Sequence, residues 1–267
     1  MSKIEEALEK ANRMRGDGNS KPQMPRPADD VDRLDNASCY AITIKDPESP
    51  IAEEYRRLKS MVIRETKADF LNTIMVTSAL EGEGKSLTSV NLAVTIAQEI
   101  DHSILLVDAD LRRPMIHNYL GIENVKGLSD YLISGGDVSE VINKSGVGNL
   151  SVITAGKPVD NPVELLSSDR MKALIKELKQ RYMDRYVIID TPPILSFAEA
   201  IAIVSFVDGV IIVAREGRTQ LSALENAFNQ VKDAKILGVV FNDASYTNLQ
   251  GSYDRYGYYK YKRKEQG

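Results

Sequence analysis

From residue 73 onward the chain alternates short apolar runs with longer segments whose apolar residues recur at helical spacing. The short runs are rich in Val, Ile and Leu, and they predict strands at residues 74–77, 104–107, 150–153, 187–189, 209–213 and 236–241. The longer segments predict helices from the end of the first loop to about residue 99, at residues 162–182 and at residues 220–232. Continuous aliphatic strands separated by helices are typical of a parallel sheet. The predicted fold is therefore α/β, with a mostly parallel β-sheet covered by helices on both faces.

The residues on either side of this core have other patterns. Residues 3–15 place apolar side chains at helical spacing among Glu, Lys and Arg, which predicts a short amphipathic helix that either packs on its own domain or docks on a partner. Residues 16–36 contain Gly, Asn, Ser and three prolines, a composition that predicts a flexible or partly extended linker. A helix is predicted at residues 51–64, and few aliphatic residues follow Ala244. The predicted organisation is an N-terminal helix and linker at residues 1–46, a central domain at residues 47–245 and a tail at residues 246–267.

The composition narrows the classes of function. With 267 residues, 43% of them hydrophobic and 27% charged, the chain resembles an ordinary soluble globular protein. A formal net charge of −4 gives no overall attraction to nucleic acid, so no nucleic-acid partner is expected. The single cysteine, Cys39, excludes an internal disulfide and fits a reducing compartment. Because the sequence contains neither the roughly 18-residue apolar run of a membrane span nor the apolar stretch of a signal peptide, we expect a cytoplasmic protein.

A loop with the sequence Ala-Leu-Glu-Gly-Glu-Gly-Lys-Ser follows the first predicted strand and precedes a predicted helix, which is the context of an ATP-type phosphate loop. Gly82 and Gly84 let successive backbone N–H groups turn inward around phosphate oxygens, and a cation and a hydroxyl for Mg²⁺ follow at Lys85 and Ser86. The complete motif begins with glycine, whereas this chain has Ala79, which fits only if its backbone keeps a negative φ. The loop predicts a P-loop NTPase-like fold that binds ATP and Mg²⁺.

Acidic residues end two of the predicted strands. Asp108 and Asp110 follow the second strand, and Asp190 follows the fourth. Ligands bind beyond the carboxyl ends of the strands in open α/β sheets. Each acid alone could simply cap the end of its strand, but three carboxylates beside Lys85 and Ser86 would orient Mg²⁺ and leave one group to accept a proton.

A cluster of five tyrosines lies within nine residues near the end of the sequence, at Tyr253, Tyr256, Tyr258, Tyr259 and Tyr261. A phosphate-transfer site and a row of phenols on one chain suggest a kinase that uses itself as substrate, although such a segment can also be a simple stacking or adhesive tail. Residues 253–267 carry five basic and two acidic side chains, a net charge of +3. Each phosphotyrosine adds about −1.5 to −2 charges, so full modification would reverse that sign. We expect the modified tail to leave an acidic site, and an oligomer that depends on the tail to dissociate.

These motifs together resemble one known family, the bacterial tyrosine kinases (BY-kinases), which are P-loop tyrosine autokinases of exopolysaccharide and capsule assembly. The similarity spans roughly residues 40–261 and rests on the loop, the two aspartate-ended strands, the sequence Asn-Pro-Val-Glu-Leu-Leu-Ser-Ser from Asn161, and the tyrosine cluster. A strand followed by Asp-x-Asp-x-Arg is the most specific element, because most other P-loop proteins lack it. The opening sequence from Ser2 to Ala11 is similar to that of stand-alone cytoplasmic members associated with exosortase-linked polysaccharide loci.

The resemblance implies a role for each matching residue. ATP would be bound by the loop and by the residue after the last predicted strand, that is by Gly82, Glu83, Gly84, Lys85, Ser86, Leu87 and Asn242, with Asn242 near the adenine. The Mg²⁺ ligands would be Ser86, Asp110 and Asp190. Asp108 would take the proton of the incoming tyrosine hydroxyl, so that the catalytic residues would be Lys85, Asp108, Asp110 and Asp190. The phosphate acceptors would be the five tyrosines of the cluster at residues 253–261.

The resemblance also implies partners. In the family a Glu-x-x-Arg-x-x-Arg helix joins subunits into rings, and here the motif is formed by Glu53, Arg56 and Lys59. Lysine cannot make the bidentate contacts of arginine, so a ring would be weaker or differently arranged, and these residues could also be ordinary charges of an exposed helix. The implied partners are further copies of the chain, a cognate tyrosine phosphatase, and a membrane-embedded polysaccharide chain-length or activator protein that recruits the chain to the inner face of the membrane.

The sequence therefore predicts an ATP-dependent protein-tyrosine autokinase whose P-loop kinase domain is residues 47–245, acting between subunits and regulating exopolysaccharide chain length or export. One alternative is a partner-controlled P-loop ATPase of the cell-division or plasmid-partition type, but those proteins carry a second lysine where this chain has Leu80. Another is a non-catalytic nucleotide-binding regulator of a polysaccharide export complex, which the intact Lys85, Ser86 and three aspartates disfavour.

Overall fold

A computed structural model describes residues 40–69, 71–99, 102–180 and 185–245. Several predicted features lie outside these residues: the helix at residues 3–15, the linker at residues 16–36, Cys39, and the tail at residues 246–267, which includes the five-tyrosine cluster at residues 253–261. The predicted boundaries of the N-terminal helix and linker (residues 1–46), the central domain (residues 47–245) and the tail (residues 246–267) stay predictions.

The centre of the described part is a β-sheet of seven strands. Along the chain these are β1 (Thr73–Ser78), β2 (Ser103–Asp108), β3 (Asn143–Lys144), β4 (Leu150–Ile153), β5 (Arg185–Asp190), β6 (Gly209–Arg215) and β7 (Ile236–Asn242). Their spatial order is β3-β4-β2-β5-β1-β6-β7, and neighbouring strands are parallel except for β3 and β4. The predicted mostly parallel sheet is confirmed.

Helices cover both faces of this sheet. They are α1 (Ile42–Lys45), α2 (Pro50–Lys67), α3 (Lys85–Ala97), α4 (Ile116–Leu120), α5 (Leu128–Ser134), α6 (Pro162–Leu166), α7 (Asp169–Gln180), α8 (Ala198–Val204) and α9 (Leu221–Gln230). Residues of the central strands enter two separate apolar clusters in alternation, as Met75 does on one face and Val76 on the other. Each face therefore has its own core, and the functional residues are left to the edge where the strands end.

The predicted strands all coincide with observed ones, and their ends differ by at most two residues. Their burial explains this agreement, since every residue of β1 is buried and a buried strand on both faces reads as a continuous apolar run. The edge strand β3 was not predicted, because its two residues, Asn143 and Lys144, are polar and exposed. The predicted helices at residues 51–64 and 220–232 correspond to α2 and α9.

The helix predicted at residues 162–182 is wrong as a single element, because the chain there forms α6 and α7. The two serines between them cause the break. The hydroxyl of Ser167 donates to the carbonyl of Val163, and the hydroxyl of Ser168 accepts from the backbone N–H of Met171 at 3.2 Å. Ser168 thus begins a new helix in the manner of an N-cap, which an apolar periodicity alone does not reveal.

Helix α3 is fixed from its outer side by one buried amide. The side-chain oxygen of Asn91 accepts from the backbone N–H and the hydroxyl of Thr43, at 3.0 and 2.8 Å. Its side-chain nitrogen donates to the carbonyls of Leu87 and Tyr40, at 2.9 and 3.2 Å. Because four hydrogen bonds satisfy this amide, the segment around α1 is held on the helix that begins at the loop.

We expect Asn91→Ala to lower the free energy of unfolding by about 2–4 kcal/mol, because the two donors of Thr43 lose their acceptor inside the protein. Urea titration of the full chain measures this change. Asn118→Ala, on the exposed surface of α4, is the matched control and should change the free energy by no more than about 0.5 kcal/mol. Equal effects of the two substitutions would contradict the anchoring role of Asn91.

Candidate active site

The predicted phosphate loop connects β1 to α3 at the carboxyl edge of the sheet. Gly82 and Gly84 have φ values of 74° and 93°, in the left-handed region where other residues are strained. A Cβ on Gly84 would lie 1.9 Å from Nδ2 of Asn242, so space also requires glycine there. Among the described residues Asp243 is the one non-glycine residue with a positive φ. The backbone of Ala79 therefore has the negative φ that alanine requires at this position of the loop.

The loop leaves a row of backbone donors without acceptors. Within the described residues, the N–H groups of residues 82–87 donate to no acceptor, whereas the N–H of Leu80 donates to the Glu83 carboxylate and that of Thr88 to the carbonyl of Gly84. Unpaired N–H groups at the beginning of a helix carry partial positive charge and bind phosphate oxygens. The geometry of this loop is therefore that of an anion site.

Lys85 lies among the predicted acids. Its Nζ is 2.7 Å from Oδ2 of Asp110, 3.7 Å from Oδ2 of Asp190 and 3.0 Å from the hydroxyl of Ser86. Its side chain is 11% exposed, Asp110 is nearly buried and Asp190 is fully buried. Three residues that are distant in sequence meet here as predicted, because β1, β2 and β5 are neighbours and end at the same edge.

Asp108 completes this group as the register partner of Asp190 on the adjacent strand. Its carboxylate oxygens accept from the backbone N–H groups of Asp110 and Ile116, both at 3.2 Å. Burial raises the pKa of Asp108 well above its ordinary value, and the negative charge of Asp190 adds to this more than Lys85 offsets it. A carboxylate with a raised pKa is a stronger proton acceptor once it is ionised.

The other two members of the group are also perturbed. Burial raises the pKa of Asp190, although Lys85 and hydrogen bonds from Ser86 and Ser89 oppose the shift. Burial acts to lower the pKa of Lys85, but the charges of Asp190 and Asp110 outweigh it, so the pKa of the lysine is raised. The group therefore keeps its cation and has an excess of carboxylates, an arrangement that favours binding of a further cation.

The donor set fits a hard divalent cation. Ser86 supplies a hydroxyl, Asp110 and Asp190 supply carboxylate oxygens, and Oδ2 of Asp190 is buried without a hydrogen-bond partner. Oxygen donors of this kind, completed by phosphate and water oxygens, are what Mg²⁺ prefers. No cluster of three or more His, Cys, Asp or Glu side chains in the described residues could hold a metal without such additional ligands.

Two residues predicted to bind ATP have contacts within the protein. Asn242 is the last residue of β7, and its Nδ2 donates to the carbonyl of Glu83 at 3.0 Å, so it lies against the phosphate loop. Glu83 is fully buried beneath the loop. Contact of Asn242 with adenine stays a prediction.

The residues predicted to join subunits lie on α2, away from the acidic group. Glu53 and Arg56 form an ion pair at 2.6 Å, and Arg56 also donates to the carbonyl of Pro47. Lys59 contacts Glu99 of the same chain at 2.5 Å. Their role in oligomerisation stays a prediction, and Lys59 has an intramolecular partner in this structure.

Sequence reasoning missed several residues of the site. Ser89, one helical turn after Lys85, donates to Oδ1 of Asp190 at 3.1 Å, and its spacing could have identified it. Arg112 is the arginine of the predicted Asp-x-Asp-x-Arg motif, but its contacts were not predicted: it pairs with the buried Glu199 at 2.7 Å, and its guanidinium carbon lies 4.8 Å from the ring centre of Phe197. Thr219 touches the loop from 136 residues away, and no local signal indicates that contact.

Comparison with known proteins adds independent findings. A family model described as an AAA domain matches residues 71–237. The tyrosine-protein kinase YwqD of Bacillus subtilis is 36% identical over 221 residues, which are 82% of this chain and 90% of that protein. The solved kinase domain of the Escherichia coli tyrosine kinase Etk has a TM-score of 0.72 and 30% identity, covering 85% of this chain and 87% of that one.

A more distant solved structure is similar in fold alone. The septum site-determining protein MinD of Pyrococcus horikoshii has a TM-score of 0.53 and 22% identity, covering 64% of this chain and 69% of that one. Proteins of several kinds therefore share this sheet, and their functions differ through the side chains at its carboxyl edge.

The raised pKa of Asp108 has a consequence for stability that can be measured. A carboxyl with a higher pKa in the folded than in the unfolded state binds more protons when folded, so it makes stability fall as the pH rises from the ordinary carboxyl value, about 4, through the raised value. Asp108→Asn removes this dependence. We therefore expect the unfolding free energy of the variant, relative to the unsubstituted protein, to increase across that pH range.

Urea titrations at a series of pH values between about 4 and 8 test this. Asp169→Asn, at the exposed start of α7, is the control, because it measures the effect of removing one exposed carboxylate. A difference between the Asp108→Asn and unsubstituted proteins that stays constant with pH would show that burial does not perturb this group.

Proposed function

The chain belongs to the family of bacterial tyrosine-protein kinases and is a protein-tyrosine kinase, and from this premise we propose that it transfers the γ-phosphoryl group of ATP to tyrosines of its own C-terminal tail. One observation carries the proposal. Lys85 meets Asp108, Asp110 and Asp190 beside a loop whose amides have no acceptor within the described residues. Phosphoryl transfer depends mostly on positioning and on charge neutralisation, and these groups supply both.

In this proposal the loop binds the β- and γ-phosphates of ATP. The N–H groups of residues 82–87 donate to phosphate oxygens, and Lys85 exchanges its contact with Asp110 for a phosphate oxygen. A lysine held 2.7 Å from a carboxylate is already desolvated and oriented, so little reorganisation is needed when the phosphate arrives. Asn242, which touches the loop at Glu83, lies beside the nucleotide.

Ser86, Asp110 and Asp190 hold Mg²⁺ in this proposal. Bound Mg²⁺ neutralises charge on the phosphates and favours departure of ADP. Within the protein, Ser89 keeps Asp190 oriented through a hydrogen bond of 3.1 Å. Oδ2 of Asp190 supports this assignment, because within the described residues it is buried without a hydrogen-bond partner, with the Lys85 ammonium 3.7 Å away, and so retains lone pairs for a metal ion.

Asp108 accepts the proton of the tyrosine hydroxyl. As the phenolic oxygen bonds to the γ-phosphorus, the bond from that phosphorus to the bridging oxygen of ADP breaks, and the phenolic proton passes to the carboxylate. The N–H groups of Asp110 and Ile116 fix the plane of the carboxylate, and a second lone pair on each oxygen remains for the proton. The raised pKa of Asp108 makes this acceptance more favourable.

The acceptors in this proposal are Tyr253, Tyr256, Tyr258, Tyr259 and Tyr261. The chain leaves the described domain at Ser245, three residues after Asn242, which contacts the loop. Eight extended residues span at most about 26 Å, which is the reach of Tyr253 from Ser245. Basic side chains among the tyrosines are attracted to an acidic group of this kind, and in this proposal the group belongs to a neighbouring subunit.

The proposed partners follow from the family. Further copies of the chain assemble through α2, and a membrane-embedded polysaccharide chain-length or activator protein recruits them to the inner face of the membrane. A cognate phosphatase removes the phosphate. In the part of the chain that the structure describes, no helix has the length and apolar character of a membrane span. The proposed process is the control of exopolysaccharide chain length or export.

We predict that Lys85→Met lowers phosphate incorporation into Tyr253–Tyr261 by about 100-fold or more, because the charged group that contacts the phosphates is lost. Phosphopeptide mass spectrometry of the purified full chain after incubation with Mg²⁺ and ATP measures this. Changing the five tyrosines of the cluster to Phe should remove this incorporation, while nucleotide binding is retained.

The matched control is Lys126→Met, which removes an exposed lysine paired with Glu140 and should leave incorporation unchanged. ATP hydrolysis without phosphotyrosine, even after membrane fractions containing polysaccharide-export proteins are added, would contradict autophosphorylation. That result would favour the partner-controlled ATPase.

Phosphorylation of the tail should dissociate the oligomer, because about −1.5 to −2 charges on each tyrosine repel it from the acidic group of the neighbouring subunit. Light scattering before and after complete phosphorylation measures the mass. The five-tyrosine→Phe variant, treated identically, controls for the effect of ATP. An unchanged mass after full modification would show that the tail does not hold subunits together.

A further inference from the structure

One buried carboxylate of the loop has no part in the reaction described above. Glu83 occupies a variable position of the phosphate-loop motif, yet its side chain is fully buried. Oε2 accepts from the backbone N–H of Leu80 at 2.9 Å, and Oε1 accepts from the hydroxyl of Thr219. Because burying a carboxylate is unfavourable unless donors compensate it, these two contacts must hold it in place.

The hydroxyl of Thr219 is directed toward Glu83 by its other contact. Its oxygen accepts from the backbone N–H of Arg215 at 2.7 Å, so its single proton remains for the carboxylate. The N–H of Thr219 also donates to the carbonyl of Arg215 at 2.9 Å, which closes the turn between β6 and α9. The donor to Glu83 is therefore part of a fixed turn.

The same turn and the end of β7 contact the loop at further points. Nη1 of Arg215 lies 3.4 Å from the carbonyl oxygen of Gly82, and its Nη2 lies 2.6 Å from Oδ2 of Asp243. Asn242 donates to the carbonyl of Glu83. The phosphate loop is thus held by contacts with β6, β7 and the turn after β6.

We propose that Glu83 and Thr219 form a brace that fixes the phosphate loop in its phosphate-binding conformation before nucleotide arrives. Both are positioning residues, since they act through the loop amides and not on the substrate. The N–H of Leu80 is used by the brace, whereas those of residues 82–87 have no acceptor within the described residues and stay available to phosphate oxygens. A loop ordered in advance loses less conformational freedom on binding, so the brace raises nucleotide affinity. This inference rests on the proposed binding of ATP at the loop.

Thr219→Val tests the brace, because it keeps the shape of the side chain and removes the donor to Glu83. We expect the Kd for a fluorescent ATP analogue with Mg²⁺ to rise about tenfold, and the KM for ATP to rise with it, while kcat at saturating ATP changes less than about twofold. Thr219→Ser, which restores the hydroxyl, should return the Kd to within about twofold of the original. Glu83→Gln should also weaken binding, because it replaces hydrogen bonds to a charged carboxylate by neutral ones, and its amide nitrogen must face the N–H of Leu80 or the hydroxyl of Thr219, both of which now act as donors.

Thr66→Val is the matched control. It removes another buried hydroxyl, which contacts the carbonyl of Val62 and the hydroxyl of Tyr186 far from the loop. The brace is supported if Thr219→Val weakens binding while Thr219→Ser and Thr66→Val do not. It is overturned if Thr219→Val leaves the Kd unchanged, or if Thr66→Val weakens binding equally through lower stability. Nucleotide binding is measured without phosphotyrosine formation, so loss of the brace and failure of the autokinase proposal give different results.

Discussion

The burial of three carboxylates beside one lysine is the constraint on which the rest of this structure depends. Asp108 and Asp190 are register partners on adjacent parallel strands, so the sheet itself holds them together. Burial raises the pKa of both carboxyls, and a neighbouring carboxylate adds to each shift, Asp190 for Asp108 and Asp110 for Asp190. Lys85 compensates them in part and is itself kept charged by them. The remaining excess of negative charge attracts a divalent cation to this edge of the sheet.

The position of Lys85 in turn requires an ordered loop and helix. Lys85 is the first residue of α3, so the lysine can meet the acids only if that helix begins at one particular place. Gly82 and Gly84 allow the turn before it, and Asn91 fixes the helix from its outer side. Charges placed in advance by such a framework need little movement during reaction, which is the physical basis of electrostatic catalysis. In the same way, the proposed brace of the buried Glu83 and Thr219 fixes the loop amides before nucleotide binds.

The sequence predicted what local patterns encode and missed what distant contacts decide. The buried strands, the two loop glycines and the aspartates at strand ends follow from apolar runs and from the direction of parallel strands. The break between α6 and α7 depends on hydroxyl hydrogen bonds of Ser167 and Ser168, which compete with a helical pattern. Lys59 and Glu99 are 40 residues apart, and Glu83 and Thr219 are 136 apart. Nothing in the neighbourhood of either residue indicates its partner, since such pairs are specified by the folded sheet.

The similarity to MinD in fold alone shows why side chains at the loop matter more than the sheet. Proteins of the partition type carry a second lysine at the position of Leu80, and a cation there would add charge to the nucleotide site. In this chain position 80 contributes its backbone N–H to the buried carboxylate of Glu83, and its apolar side chain is 38% exposed. Leu80 therefore helps to fix the conformation of the loop and adds no charge to it. With no cation at position 80, the positive charge beside the acidic group comes from Lys85 and from the N–H groups of residues 82–87, which have no acceptor within the described residues. Under the proposed function these groups, with a metal that the acids would hold, neutralise the phosphates while a peptide tyrosine attacks.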